Sequence, residues 1–225
     1  MATQAGYEIV KVAGIPWEDR KNVDGWPSRA GMYWDDRGNQ LCMRLIDYPV
    51  GAIEPRHVHG GSHATTVLKG RALIDGLALK PLDVVLGPSN EPHGPLNYPE
   101  GCQLFSVFHG SYHHSESEQP NTEKQYRLIQ SAQTPWQPGT KGYESKVLVD
   151  RGVGRLLLEA RRFASGARFE QSAQRPLLAG IVVEGSAVIG NETLGAWDFF
   201  YAPAGAKHGP MAFPAGATLL TVTLQ

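Results

Sequence analysis

The sequence predicts an all-β protein made of two consecutive copies of one barrel-like unit. Three observations support this prediction: the two halves of the chain resemble each other at a constant offset, the apolar residues occur in short strand-like runs, and glycines and prolines separate those runs. With 26 glycines and 16 prolines in 225 residues, turns are too frequent for long helices. This length suits two domains of roughly 110 residues each.

The internal repeat becomes visible when the chain is shifted by 115 positions. Residues 51–108 then align with residues 166–223 without a gap. The aligned positions share turn glycines, prolines, an aspartate and a His-Gly-Pro tripeptide, including Gly51 with Gly166, Gly70 with Gly185, Asp83 with Asp198, Pro88 with Pro203 and His93 with His208. So many shared turn residues at one offset indicate a duplicated structural unit.

The strand prediction follows the same runs in both copies. QLCMRLIDY and RLLLEARRF open the copies, ATTVLKGRALIDG and AGIVVEGSAVIGN form pairs of β-rich runs around a glycine, LDVVLGP and WDFFYAP end in turns, and QLFSVF and TLLTVTL close the copies. Short strands at regular spacing are typical of a sandwich or closed barrel. We predict an N-terminal arm with a first barrel over residues 1–112, a polar linker over 113–134 and a second barrel over 135–225.

Composition excludes several classes of partner. The chain is 41% apolar and 19% charged with a net charge of -1, and no basic block is present, so we expect no nucleic-acid partner. No run approaches the roughly 18 consecutive apolar residues of a membrane span, and the N-terminal residues show no signal-peptide pattern. A cytoplasmic protein without a membrane partner is therefore expected. Cys42 and Cys102 lie in strand-like runs and are predicted to be buried free thiols.

Four histidines form the candidate metal site. His57 and His59 are two residues apart, so on a strand both side chains point to one face. His63 follows a turn that contains two glycines, and His93 follows a proline-rich turn on a different strand. Two adjacent ligands, one beyond a turn and one remote in sequence are a typical metal-site spacing. We therefore predict that His57, His59, His63 and His93 bind one divalent transition metal.

These histidines also carry a resemblance to the cupin family. The segment from Gly51 to Gly70 resembles the first cupin motif, with His-x-His at His57 and His59 and with His63 in the place of the usual glutamate. The second motif is matched in part by Pro88, His93 and Asn97, while Asn90 replaces a glycine. The resemblance covers roughly residues 30–108 and 145–223. It implies two tandem jelly-roll β-barrels with the metal inside the mouth of the first.

Replacement of the glutamate by His63 affects the predicted metal chemistry. Four neutral imidazoles leave the full charge of the metal ion uncompensated, which favours anionic oxygen ligands and Lewis-acid polarisation. Imidazole ligands suit several metals. Fe(II) or Mn(II) is the favoured ion, and Zn or Ni remains open. A second alternative also stays open: only His57, His59 and His93 bind the metal, as in three-histidine cupin dioxygenases, and His63 lies behind them.

The second copy lacks the equivalent ligands. At the same offset, Ser172, Gln174 and Leu178 occupy the positions of His57, His59 and His63, and only His208 remains. We therefore expect the second barrel to hold no metal.

Several other residues are predicted to have structural roles. By simple strand alternation Glu54 and Arg56 are predicted to point outward. Arg44 lies in an apolar strand and is predicted to extend outward to solvent, with binding of a carboxylate as the alternative. Asp83 and Asp198 are predicted to stabilise turns because both copies contain them. The histidine pair His113 and His114 is expected to lie in a solvated loop.

Three functional hypotheses follow from the resemblance. The first is a metal-dependent oxygenase for a small oxygen-rich organic substrate, because histidine-rich cupins include dioxygenases that cleave diketones and hydroxyaryl ketones. The second is a redox-neutral isomerase or lyase that uses the metal as a Lewis acid. The third is a non-enzymatic regulator, because the chain resembles the cupin half of zinc-binding anti-sigma factors, including Trp136 to Gly139. Whether the protein forms a homodimer is left open.

Overall fold

The computed structural model describes residues 2–21, 27–36, 40–113, 126–139, 142–150, 156–170 and 177–224. It divides the chain into two compact units. One unit, here called the first barrel, consists of Pro16–Ala132. The other, here called the second barrel, combines Met1–Ile15 with Gln133–Gln225. The two predicted units are thus present, with different boundaries.

Nearly all of the regular structure is β-strand. In the amino-terminal half the strands are β1 Ala2–Gln4, β2 Tyr7–Val10, β3 Trp17–Lys21, β4 Pro27–Asp36, β5 Leu41–Tyr48, β6 Ala52–Glu54, β7 Ser62–Gly70, β8 Ala72–Ile74, β9 Leu77–Leu79, β10 Val84–Gly87, β11 Leu96–Tyr98 and β12 Cys102–His109. The following strands are β13 Arg127–Ile129, β14 Gln137–Pro138, β15 Tyr143–Asp150, β16 Leu156–Phe163, β17 Ala167–Phe169, β18 Leu178–Gly185, β19 Ala187–Ile189, β20 Glu192–Leu194, β21 Phe199–Ala202, β22 Met211–Phe213 and β23 Ala217–Leu224. The described residues also include 3₁₀ turns at Val12–Gly14 and Ser131–Gln133. In the described ranges, no helix is long and apolar enough to cross a membrane.

The first barrel contains two sheets. The larger sheet has the strand order β13-β10-β7-β12-β5-β4-β3, and the smaller has β6-β11-β8-β9. The strand pairings within these sheets are antiparallel, which matches the alternating polar and apolar pattern of the strands. Buried side chains from both sheets form one apolar cluster that includes Val67, Leu104 and Tyr98. The apolar faces of the two sheets therefore pack against each other.

The second barrel repeats this architecture. Its larger sheet has the order β1-β2-β21-β18-β23-β16-β15-β14, and its smaller sheet has β17-β22-β19-β20. The interior is filled by aromatic and aliphatic side chains, among which Phe163 and Phe213 stack with ring centroids 3.9 Å apart. The all-β prediction with two tandem barrels is therefore confirmed.

The predicted domain boundaries are corrected at two places. The N-terminal arm was assigned to the first barrel, but β2 pairs with β21 of the second barrel. The segment 113–134 was assigned as a linker, but β13 within it pairs with β10 of the first barrel. The physical reason is the same in both barrels: without the added strand, β10 and β21 would expose unpaired backbone groups at a sheet edge.

A second sequence offset accounts for this exchange of strands. Shifted by 119 positions, Tyr7 aligns with Tyr126 and the Pro-Trp pair at Pro16 aligns with the one at Pro135. The repeating unit therefore begins near Tyr7, well before the gapless region that starts at Gly51. The first strand of each repeat pairs within the other barrel. The 115-residue offset alone does not reveal this exchange.

Asp83 and Asp198 have the predicted turn role and a second one. Asp83 accepts hydrogen bonds from the backbone N–H of Lys80 at 2.8 Å and of Ser131 at 2.7 Å. Asp198 accepts the equivalent bonds from Gly195 and Val12, both at 2.9 Å. Each aspartate thus joins its own turn to the 3₁₀ turn that follows the exchanged strand.

The repeated glycines confirm the duplication through their conformation. Gly70 has φ +79° and Gly185 has φ +77°, a region that side chains other than glycine rarely adopt. A methyl group on either would overlap the carbonyl oxygen of Gly101 or Gly216, respectively. Both positions therefore require glycine.

Replacement of Gly185 by alanine is expected to destabilise the second barrel by at least about 2 kcal/mol, because backbone strain and a steric overlap arise together. Gly195→Ala is the matched control, since a methyl group there contacts nothing within 4 Å. Denaturant unfolding measures both changes in the free energy of unfolding. Equal stability of the two variants would contradict this account of Gly185.

Candidate metal centre

The site forms where the segment around His57 meets the segment around His93. The backbones of these two residues exchange N–H···O hydrogen bonds of 3.0 Å in both directions. The N–H of Asn90 donates to the carbonyl oxygen of His59 at 2.8 Å, which continues the contact. The Pro-rich turn before His93 is thereby held against the His-x-His segment, as the remote-ligand spacing predicts.

Three of the four predicted histidines converge. The ligand atoms of His57, His59 and His93 all lie within 4.8 Å of one another, and all three residues are buried. His57 Nε2 and His59 Nε2 are 3.1 Å apart. Two nitrogens that bind one metal at about 2.1 Å lie roughly 3 Å from each other, so this spacing suits a shared ion. Within the described parts of the chain, no other group of histidine, cysteine or acidic side chains has such a geometry.

Backbone carbonyls determine the tautomer of each converging ring. His57 Nδ1 faces the carbonyl oxygen of Pro55 at 2.8 Å, His59 Nδ1 faces that of Tyr112 at 3.2 Å, and His93 Nδ1 faces that of Glu91 at 3.2 Å. A carbonyl oxygen only accepts, so each Nδ1 must carry the proton and donate it. The lone pairs then reside on the Nε2 atoms. This is the arrangement in which histidines bind metals.

His63 lies beside this group. Its ring centroid is 5.0 Å from that of His59 and 4.7 Å from that of His93. His63 Nδ1 lies 3.2 Å from the Thr65 hydroxyl, and its Nε2 is packed against the backbone at Gly87. The structure thus brings three predicted ligands together and places the fourth against their rings. Ligation by His63 stays a prediction.

A cavity of about 360 Å³ opens onto the histidines. It lies entirely within the first barrel, and its walls are formed by inward-facing residues of both sheets. Apolar side chains there include Ile46, Val85, Leu96, Leu104 and Phe108. This is the lower part of the range for small-molecule sites, roughly 300–1,000 Å³.

Solved structures with the same architecture include several enzymes. A candidate dioxygenase from Nostoc punctiforme PCC 73102 matches with a TM-score of 0.82 at 13% identity, covering 98% of this chain and 83% of that chain. Salicylate 1,2-dioxygenase of Pseudoaminobacter salicylatoxidans with gentisate adducts matches with a TM-score of 0.66 at 14% identity, covering 99% and 82%. Oxalate decarboxylase of Lactobacillus farciminis in a formate complex matches with 0.71 at 10% identity, covering 100% and 87%. The chain has the bicupin fold.

These structural matches establish the fold alone, and the chemistry must come from the bicupin's own residues. No protein-family model matches the sequence. No curated protein matches it either.

Glu54 departs from its predicted outward position. It is buried, accepts a hydrogen bond of 2.8 Å from the Tyr98 hydroxyl, and has Oε1 3.7 Å from His57 Nε2. Burial and the Glu54 carboxylate raise the pKa of Tyr98 well above its usual value, so this hydroxyl stays protonated and donates. The prediction was wrong because Pro55 interrupts the strand after Glu54, so strand alternation does not continue from Glu54 to His57.

Arg44 was also predicted to point outward and instead lines the cavity of the bicupin with 4% of its surface exposed. Arg44, Ile46 and Tyr48 alternate along β5 and face inward together. Their shared parity was a usable sequence signal. It was overridden by the expectation that arginine side chains reach solvent.

The positions in the second barrel that correspond to the histidines are only partly within the described residues. Ser172 and Gln174 lie outside the described residues. Leu178 is buried in the apolar cluster, and His208 Nδ1 lies 2.6 Å from the hydroxyl of Tyr7, whose ring packs 4.7 Å away. Burial raises the pKa of Tyr7 well above its usual value, so its hydroxyl stays protonated and forms a hydrogen bond with His208 Nδ1. His208 therefore joins the exchanged strand β2 to the barrel interior.

The loop histidines differ from the site histidines. His113 is exposed at the mouth of the cavity, with its ring centroid 4.3 Å from that of Tyr112. His114 lies outside the described residues.

Proposed function

We propose that the first barrel is a metal-dependent enzyme site in which His57, His59 and His93 hold one divalent transition metal through their Nε2 atoms. The single observation that carries this proposal is the pair of Nε2 atoms 3.1 Å apart on rings whose Nδ1 protons are given to carbonyl oxygens. Two acceptor lone pairs at that distance repel each other, and a cation between them removes the repulsion. Fe(II) or Mn(II) is the favoured ion, with Zn or Ni as alternatives.

Oxygenation of a small, oxygen-rich organic substrate is the reaction we favour. The bound metal would supply Lewis acidity and a redox-active centre. The chain's own residues orient the three imidazoles, enclose the substrate and exclude water through the apolar wall formed by Val85, Leu96 and Phe108. Dioxygenases among the structures of the same fold support this choice by analogy.

A redox-neutral reaction is the second candidate, and Glu54 is the observation that favours it. Its buried carboxylate lies next to His57 and is oriented by Tyr98. A carboxylate in that place can accept a proton from a substrate carbon or hydroxyl and return it elsewhere, as an isomerase or lyase requires.

Turnover with and without dioxygen distinguishes the two candidates. Purified protein of known metal content would be incubated with candidate diketones, hydroxyaryl ketones and hydroxy acids in air and under argon. The oxygenase proposal expects product only in air, together with dioxygen consumption. Identical turnover in both atmospheres would exclude oxygenation, and retention of that activity with Zn would support the redox-neutral candidate.

The role of His63 has its own expected outcome. Because the mutually close ligand atoms belong to His57, His59 and His93, we propose the three-histidine alternative. We therefore expect His63→Gln to retain one metal per chain, with the metal affinity lowered by no more than about tenfold through the loss of its contacts with the ligand rings. Metal titration and elemental analysis measure this. A loss as large as that caused by His57→Ala would identify His63 as a fourth ligand.

A further inference from the structure

Arg44 presents a buried charge to the cavity. Arg44 is 4% exposed, and the pairing of β5 with β12 places it in register with Ser106. Ser106 is in turn in register with Thr65 of β7. The three side chains therefore form one polar row across three neighbouring strands, and all of them line the cavity.

The polar row leads directly to the histidines. The Thr65 and Ser106 hydroxyls are 3.0 Å apart, and Thr65 lies 3.2 Å from His63 Nδ1. Ser106 is fully buried. A ligand held by this row would lie against the same histidine cluster that forms the candidate metal site.

The described neighbours of Arg44 include an aromatic ring, a second arginine and an acidic residue that is paired with that arginine. The Arg44 guanidinium lies over the ring of Tyr112, 4.5 Å from the centroid. Glu18, the acidic residue whose charge acts on Arg44, is in an ion pair of 3.2 Å with Arg20. Among the described residues no carboxylate forms an ion pair with Arg44, and burial together with the nearby Arg20 lowers the pKa of Arg44.

A buried guanidinium without a counterion is costly unless water or an anion solvates it. Arginine offers a planar fork of donors that matches a carboxylate, and the adjacent Ser106 hydroxyl can donate to the same anion. The Glu54 carboxylate in the same cavity accepts a hydrogen bond from the Tyr98 hydroxyl and lies 3.7 Å from His57 Nε2.

We propose that Arg44, with Ser106 beside it, binds the carboxylate of the substrate, so that the site takes small organic monocarboxylates no larger than about one aromatic ring. This inference rests on the proposed function and restricts its substrate class to carboxylic acids. The cavity of about 360 Å³ and the aromatic rings of Phe108 and Tyr112 set the size and favour a planar body.

Ligand binding tests the proposal independently of turnover. Acetate, pyruvate, benzoate and salicylate, each paired with its neutral amide, would be titrated into metal-loaded and metal-free protein by calorimetry. At least one acid should bind more tightly than its amide in both forms of the protein. Arg44→Gln should lower the binding affinity for that acid by roughly 10- to 100-fold, because one charge-assisted pair is lost, and should leave the metal content unchanged. Arg127→Gln, an exposed arginine of the same barrel, is the matched control and should bind as the unaltered protein does.

The outcomes separate this inference from the proposed function. Bound metal without any preference for acids over amides would overturn the carboxylate site and leave the metal proposal standing. If an acid binds in an Arg44-dependent way to protein that never retains metal, the metal proposal is overturned and the carboxylate site stands. Binding that requires the metal and is unchanged in Arg44→Gln would show that the metal holds the carboxylate, which also overturns the inference. If Arg44→Gln fails to fold, the acid–amide comparison on unaltered protein and Ser106→Ala, expected to weaken the acid several-fold, still decide.

Discussion

Alanine at His57 or His93 is expected to abolish metal retention by the first barrel. Each variant removes one of three converging Nε2 atoms, and the two remaining rings hold an ion far more weakly, by more than about 100-fold in affinity. His109→Ala is the matched control, because His109 is an exposed histidine at the end of a strand in the same barrel. Elemental analysis gives the metal-to-protein ratio of all three variants.

Thermal unfolding provides a second readout of the same prediction. A metal at a concentration 100 times its dissociation constant stabilises the form that binds it by about 2.7 kcal/mol. We expect added metal to raise the melting temperature of the unaltered protein and of His109→Ala, and to leave His57→Ala unchanged. Full metal retention by both His57→Ala and His93→Ala would refute the site.

The second large effect is expected in the exchanged strand β2. Tyr7 and Ile9 are both buried in the apolar cluster of the second barrel, with 0% and 2% exposure. Removing two such side chains leaves cavities in a packed core and also breaks the hydrogen bond to His208. In the double variant Tyr7→Ala, Ile9→Ala the free energy of unfolding should therefore fall by more than about 5 kcal/mol, which is enough to unfold a typical domain.

The control for this variant is Glu8→Ala, on the opposite face of the same strand, which should change stability by less than about 0.5 kcal/mol. Urea unfolding monitored by aromatic fluorescence measures both. If the double variant were as stable as the control, β2 would not be a core strand of the second barrel.

The sequence by itself determined the repeat and the fold class, and it singled out the histidines of the candidate metal site. Turn glycines such as Gly70 and Gly185 are readable because their conformation excludes other residues, whatever surrounds them. The His-x-His pair is readable because two strand positions on one face must point the same way. His93 could be added because it follows a proline-rich turn and supplies the ligand remote in sequence that a metal site typically has.

Only the tertiary structure decided which strands complete each barrel and what lines the cavity. β2 and β13 are short runs whose partners lie far away in sequence, and pairing across such distances depends on which sheet edge is open. Strand alternation counted from His57 places Glu54 outward, and the tendency of arginine side chains to reach water places Arg44 outward. Their burial becomes favourable only where the fold provides a hydroxyl donor such as Tyr98, or a cavity that admits a counterion. Those compensating groups come from other strands, and local sequence patterns do not contain them.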